Sequence, residues 1–160
     1  MALKLIGIDN VLANLNKEVE GIKERGLIGL IRASIIVRNA MEKDVPRIPV
    51  DTSNLRASWF VVTSKGGTIR GRQPTFNIQD KSGEQVVREH VTKVERNKAA
   101  IEGKVPVIVM GFTAYYALPV HENIGAQFKA PGAGAKFFEV HLQTKQKQML
   151  EMIQKEVQIK

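Results

Sequence analysis

Apolar residues near the start of the chain recur at alternating spacings of three and four, which is the period of one helix face. The pattern predicts a helix that begins near Asp9 or Asn10. Its three heptad steps also fit a short seam between two helices, although ordinary core packing gives the same spacing. The residues of this stripe are Leu5, Ile8, Leu12, Leu15, Val19 and Ile22.

Glycine interrupts the next part of the helical pattern, at Gly21, Gly26 and Gly29. Each glycine costs about 1 kcal/mol relative to alanine within a helix, so a bend or a second helix is expected there. From residue 27 to 43 the apolar positions lie on more than one face. Such a helix needs cover on several sides, from its own sheet or from a neighbouring subunit. We therefore predict that residues 1–45 are helical.

The stretch IPVDTSNLRASW, residues 48–59, predicts a change from helix to sheet. Its prolines favour an extended backbone, and Asp51 or Thr52 is expected to cap a short helical turn over residues 53–57. The chain's only tryptophan follows this turn, as Trp59. Because an indole ring has a large apolar area, we predict that Trp59 is buried where the helix meets the sheet.

Beyond this turn the pattern becomes that of a sheet. Residues 59–64 and 105–110 are rich in apolar and β-branched side chains and predict strands. Residues 85–94 fit either a second strand or a short helix, because their alternation is weak. We expect residues 57–112 to be mainly β.

Residues 64–92 contain several turn signals, namely Gly-Gly, a single Gly, Pro and Ser-Gly. They predict a long hairpin excursion whose exposed basic side chains contact a partner. The candidate partner contacts in this excursion are Lys65, Arg70, Arg72 and Lys81.

The last part of the chain predicts a loop followed by a helix. Residues 125–135 are rich in Gly and Ala, whose small side chains let backbones approach, so this loop is expected to lie against a neighbouring subunit. Residues 136–158 predict a C-terminal amphipathic helix. The whole chain, residues 1–160, is therefore expected to be a single α+β domain, with N-terminal helices and a C-terminal helix packed on a mainly antiparallel sheet. The apolar face of the last helix comprises Phe138, Leu142, Met149, Met152 and Ile153.

Composition adds one unusual feature, a formal net charge of +8. This charge favours acidic partners such as nucleic acid, acidic protein surfaces or anionic lipid, although a solvated basic face is the ordinary alternative. The 43% of hydrophobic residues is enough to form a core. No apolar run approaches the ~20 residues of a membrane span, and MALKLIGIDNVL is a poor signal peptide. We expect a cytoplasmic site of synthesis and no membrane association.

Residue types that carry catalysis or bind metals are not arranged for either role. The chain has no cysteine, and its three histidines lie far apart in sequence. His121 and Glu122 begin a pattern like that of zinc proteases, but Gly125 stands where the second histidine is required. Lys136 follows a Gly/Ala-rich stretch that lacks the Gly-Lys-Ser/Thr of a phosphate loop. We expect structural histidines, no metal, no cofactor and no enzyme activity.

The order of these features resembles that of the small tail-completion and neck proteins of tailed bacteriophages, the head–tail joining family. That family has a Pro-Val-Asp-Thr-Gly-x-Leu-x-x-Ser element, later Tyr-Ala followed by His or Tyr and Glu-x-Gly, and then a Phe-Leu-type entry to the last helix. Here Ser53 stands where the family usually has Gly, and ENIG is one residue longer than Glu-x-Gly. The matching positions are Pro49, Val50, Asp51, Thr52, Asn54, Leu55, Arg56, Ser58, Tyr116, Ala117, Val120, His121, Glu122, Gly125, Lys136 and Phe137.

The resemblance implies a structural virion protein that forms a homo-oligomeric ring, with a hexamer or dodecamer expected. Such a ring joins tail to head as a tail terminator or a neck protein, and is assembled in the bacterial host cytoplasm. Its implied partners are adjacent neck or portal-side proteins and tail tube or sheath proteins. DNA passes through its channel without sequence-specific binding.

A stand-alone basic nucleic-acid-binding module is the alternative, from a different class of function. Its cations would contact phosphates, and Tyr115 and Tyr116 would form a stacking platform. Residues 105–128 contain no Lys or Arg, however, so packing at the edge of the core explains these tyrosines more simply.

Overall fold

The computed structural model describes residues 8–51, 53–70 and 75–158. Helices pack with a three-stranded antiparallel sheet, so the predicted α+β class is confirmed. Within the described residues, no helix is long and apolar enough to cross a membrane. In chain order the elements are α1 (Ile8–Lys43), α2 (Asn54–Ala57), β1 (Trp59–Thr63), β2 (Thr68–Arg70), α3 (Lys81–Ile101), β3 (Ile108–Phe112), α4 (Ala117–Glu122), α5 (Glu139–Thr144) and α6 (Gln146–Val157).

Helix α1 runs without a break over 36 residues, so no second helix begins near the glycines. Leu5, the first residue of the predicted stripe, lies outside the described residues. The glycines serve close packing instead. A Cβ atom at Gly29 would lie 3.0 Å from the Cα atom of Ile153, because helix α6 crosses α1 at this point. The free energy lost by placing glycine in a helix is thus offset by close contact between two helices.

Strand β1 is the centre of the sheet, between β2 and β3. All five of its residues are buried, and Trp59 faces Phe112 across the β1–β3 pair. The side chain of Trp59 is 2% exposed, and the guanidinium of Arg38 lies 5.3 Å from its ring centre. The predicted burial of Trp59 at the junction of helix and sheet is confirmed.

Residues 57–112 are not mainly β, because α3 occupies 21 of them. Of the two possibilities for residues 85–94, the helix is correct, and it is longer than predicted. Asp80 caps its start, since the side-chain oxygen accepts a hydrogen bond from the Gly83 N–H at 2.6 Å. Val86, His90 and Val94, spaced by four, are the buried face of α3.

The long basic hairpin is absent from the described residues. Strands β1 and β2 form a short hairpin instead, with Lys65 in its turn and Arg70 as the last residue of β2. Lys81 is the first residue of α3, and Arg72 lies outside the described residues. Of the predicted contact residues that the structure describes, only Lys65 and Arg70 therefore share a hairpin.

The predicted C-terminal helix over residues 136–158 is divided into α5 and α6, which meet at Lys145. Helix α6 lies antiparallel to α1. An ion pair joins Lys145 to Asp44 at one end, with Nζ and Oδ2 2.8 Å apart, and a second pair joins Glu156 to Arg32 at the other. Phe138, Leu142 and Met149 of the predicted apolar face pack against the core.

Candidate functional site

The two segments that carry the motif residues, 46–58 and 112–139, meet in space although they are far apart in sequence. Arg47 pairs with the Gly/Ala loop through its backbone, because its N–H donates to Gly132 O at 2.7 Å and its carbonyl accepts from Gly134 N–H at 3.2 Å. A Cβ atom at Gly134 would lie 2.9 Å from Cβ of Pro46. The loop predicted to approach a neighbouring subunit thus packs closely against its own chain.

The turn between α1 and β1 is built around Ser53. Ser53 precedes α2 with φ 68° and ψ −8°, a left-handed conformation, and makes no side-chain capping hydrogen bond. Glycine adopts this conformation readily, and glycine is what the resembling family has at this position. The predicted turn over residues 53–57 is confirmed, since α2 spans Asn54–Ala57.

Asp51 does not cap this turn, so that prediction is wrong. Its carboxylate Oδ1 lies 3.5 Å from Nζ of Lys129, and both side chains are exposed. The left-handed Ser53 occupies the N-cap position itself. The other predicted cap, Thr52, lies outside the described residues.

Asn54 and Ser58 hold the turn to the rest of the fold. The Asn54 side chain donates to Asn77 O at 2.8 Å and accepts from Asn77 N–H at 2.6 Å, which fixes the segment that leads into α3. Ser58 Oγ donates to Leu55 O at 2.8 Å, and Ser58 O accepts from Thr113 N–H at 3.0 Å. The pairing of Asn54 with Asn77 could not be found from the sequence, because no local pattern marks it.

An open cleft of about 430 Å³ separates the two segments. Pro49, Asp51 and Leu55 line it from one side, and Tyr116 lines it from the other. The phenol of the neighbouring Tyr115 lies 3.0 Å from Ser82 Oγ, which ties the rim of the cleft to the start of α3. Six of the predicted motif residues therefore share one cleft, namely Pro49, Val50, Asp51, Leu55, Tyr116 and Val120.

A second group of motif residues forms an ion-pair network beside α4. The Glu139 N–H donates to Nε2 of His121 at 3.3 Å, so Nδ1 of this ring carries the proton and donates to Glu122 at 2.7 Å. Lys136 takes a positive φ of 57°, and its N–H donates to His121 O at 2.7 Å. Its ammonium pairs with both carboxylates, of Glu122 and Glu139.

This network shifts the pKa values of Glu122 and Lys136. The Lys136 hydrogen bond, with that of His121, lowers the pKa of Glu122, and the two carboxylates raise the pKa of Lys136, Glu122 more strongly than Glu139. His121, Glu122 and Glu139 present possible metal-ligand atoms within 4.8 Å of one another. The single Lys136 ammonium pairs with both carboxylates, and the arrangement holds α4 to the start of α5.

Apolar surface borders this network. Leu118 is 68% exposed and Ile124 is 79% exposed, on either side of His121 in the sequence. Ala117 and the rings of Phe137 and Phe138 help to line a shallow depression of about 250 Å³ there. Exposed apolar side chains beside a polar network are typical of protein–protein contact surfaces.

The remaining predicted residues do not join this surface. Gly125 is exposed and lies outside both depressions. Lys65 and Arg70 are exposed in the short β1–β2 hairpin, and Lys81 is exposed at the start of α3. Lys65 Nζ lies 2.7 Å from Oε1 of Glu24 on α1.

The other two histidines have structural environments. His90 is buried, with Nδ1 2.6 Å from Thr113 Oγ1, and burial lowers its pKa, with a smaller effect from Arg70. His141 is also buried, with Nε2 3.0 Å from Pro46 O. Both rings thus connect distant segments of the core.

No family model, curated protein or solved structure matches this chain in comparisons with known proteins.

Proposed function

We propose that this chain is a structural virion protein that forms a ring at the junction of head and tail in a tailed bacteriophage, as a tail terminator or a neck protein. Its work is mechanical: it joins the tail to the head and leaves a channel for DNA. In this proposal the motif residues stabilise the surfaces through which neighbouring subunits make contact.

One observation carries this proposal. The two motif segments that resemble the head–tail joining family come together on one side of the fold, although about sixty residues separate them. Residues matching that family line the cleft between the segments and build the Lys136 network. The left-handed Ser53, at the position where that family has glycine, adds support from the backbone.

Exposed apolar surface supports the assembly of several copies. Leu118 and Ile124 are exposed beside the network, and Ile28 and Ile35 are exposed on α1. In a ring, neighbouring subunits would cover such apolar side chains.

The direct test is the mass of the assembled protein. We expect native mass spectrometry and negative-stain electron microscopy at moderate salt to show a closed ring, with six or twelve copies. Replacing Leu118 and Ile124 together with Ser should weaken the ring without unfolding the subunit, because both side chains are exposed. A matched control is Gln143→Ser, an exposed polar position on α5. A wild-type chain that stays monomeric at high concentration contradicts the proposal.

The charge of +8 supports the second candidate, a stand-alone nucleic-acid-binding module. Such a module stays small on a sizing column and shifts with added DNA, with an affinity that falls steeply with salt. A Lys65/Arg70/Arg72/Lys81→Ala variant separates the two. If the chain is a ring subunit, the variant should fold and form rings, and any defect should appear in virion assembly. If the variant folds and loses only DNA binding, the result favours the nucleic-acid-binding module.

A further inference from the structure

The N-terminal half of α1 extends beyond the body of the molecule. Helix α6 ends beside Gly26, where the Val157 side chain lies 3.9 Å from the position of a Cβ atom. Residues 8–25, which we call the arm, continue for about 27 Å at 1.5 Å per residue. All of its residues from 8 to 20 are exposed.

The arm carries an apolar stripe that nothing in the described part of the chain covers. The stripe continues the face of α1 that is buried against the body, since Leu12 and Leu15 follow the same helical period as Ala33 and Val37. Leu15 is 57% exposed and Leu12 is 50% exposed. The exposed members of the stripe are Ile8, Leu12, Leu15 and Val19.

A second apolar pair lies on the opposite side of the same helix. Ile28 and Ile35 are 44% and 41% exposed. At 100° per residue they are about 180° from the stripe of the arm around the helix axis. One molecule therefore presents an inward-facing apolar stripe beyond its own body and an outward-facing apolar pair on its body.

We infer that the arm of one copy packs on the outer face of α1 in a second copy, where Ile28 and Ile35 are exposed. This inference rests on the proposed ring, because a contact between two different faces of one molecule closes into a ring or continues as a fibre. A symmetric pair of arms would cover the stripe and leave Ile28 and Ile35 in water.

Charge also favours a contact between the arm of one copy and the body of another over a contact between two arms. Residues 8–25 contain four acidic and three basic side chains, a net charge of −1, whereas the whole chain has +8 and the remainder therefore +9. Two arms of net negative charge repel each other weakly, whereas a negative arm is attracted to the positively charged remainder of another copy. The occupant that fits the stripe is thus the body of another copy.

Cysteine cross-linking tests this contact cleanly, because the natural chain has no cysteine. Leu15→Cys and Ile28→Cys chains, one of them isotopically labelled, are mixed and oxidised. We expect a disulfide dimer that contains one chain of each kind, in excess over either like pair. The matched control mixes Asn14→Cys with Ile28→Cys, since Asn14 is exposed, polar and outside the stripe. Equal yields from the control mixture overturn the inference.

Other outcomes distinguish a failure of the proposed arm contact from a failure of the proposed ring. Rings that form normally while Leu15→Cys links only to itself, or to nothing, overturn the arm contact and leave the proposed function standing. A Leu12→Glu/Leu15→Glu variant should raise the apparent dissociation constant of the ring at least about 100-fold, because two large apolar side chains lose their cover. Unchanged assembly of that variant also overturns the arm contact. A wild-type chain that remains monomeric overturns both proposals.

Discussion

Replacing Ser53 with glycine should raise the free energy of unfolding. Ser53 has φ 68°, a left-handed conformation that costs a residue with a Cβ atom about 1–2 kcal/mol. The Ser53 side chain makes no capping hydrogen bond, so removing it sacrifices no interaction of that kind. Glycine loses about 0.4–1 kcal/mol more in entropy on folding. The difference predicts a stabilisation of about 0.5–1 kcal/mol.

The assay is urea unfolding followed by the fluorescence of Trp59. This residue is the only tryptophan and is buried in the fold, so its emission should move to longer wavelength on unfolding. For a domain of this size 1 kcal/mol corresponds to roughly 2–4 °C in Tm, so the predicted gain should raise Tm by about 1–4 °C. The control is Ser53→Ala, which keeps the Cβ atom and should change stability by less than about 0.5 kcal/mol.

The result that refutes this reasoning is a Ser53→Gly variant no more stable than Ser53→Ala. In that case the turn does not hold Ser53 at positive φ, and the correspondence with the family's glycine loses its structural basis. Equal stabilisation by both substitutions points instead to the serine hydroxyl as the unfavourable group.

Further predictions concern packing and charge. Gly29→Ala should destabilise by about 1 kcal/mol in urea unfolding, because overpacking against the backbone of α6 exceeds the gain in helix propensity. Gly21→Ala, whose new Cβ meets only the far end of an arginine side chain, should stabilise by a similar amount. Burial lowers the pKa of His90, so its stabilising effect is complete above the unfolded pKa of about 6.5 and is lost as pH falls below it. A His90→Gln variant should therefore lose less stability than the wild type between pH 7 and pH 5 in urea titrations. Lys136→Met should raise the pKa of Glu122 toward its ordinary value, as measured by NMR titration, and an unchanged pKa contradicts the ion-pair network.

Elements with a strong local pattern can be predicted from the sequence. A local period or composition is enough to identify three kinds of element. These are the first helix with its apolar stripe, the strands near residues 59–63 and 108–112, and the turn before Trp59. Helix α3 is harder to predict, because its buried face has few apolar side chains, Val86, Val94 and Ile101, among charged residues. The Asp80 cap, three residues before Gly83, is the signal that identifies its start.

The glycines of α1 show why local propensity is misleading here. Gly26 and Gly29 weaken a helix taken alone, and on that basis a bend is the natural expectation. In the fold, α6 lies so close that a side chain at Gly29 would meet its backbone. Propensity is a local property, whereas the packing that outweighs it depends on a helix more than a hundred residues further along.

Local patterns in the chain specify several elements and mark the motif residues, but which of these residues meet depends on the packing of the fold. The Lys136 network joins Glu122 to Glu139, and the backbone of Arg47 pairs with a loop 85 residues away. Of the four basic residues assigned to one long hairpin, Lys65 and Arg70 lie in the short β1–β2 hairpin and Lys81 begins α3. Arg72 lies outside the described residues. Periodicity indicates on which face of its own helix or strand a residue lies. Contacts between distant segments depend on how the elements pack, and a single sequence does not encode that packing in any local pattern.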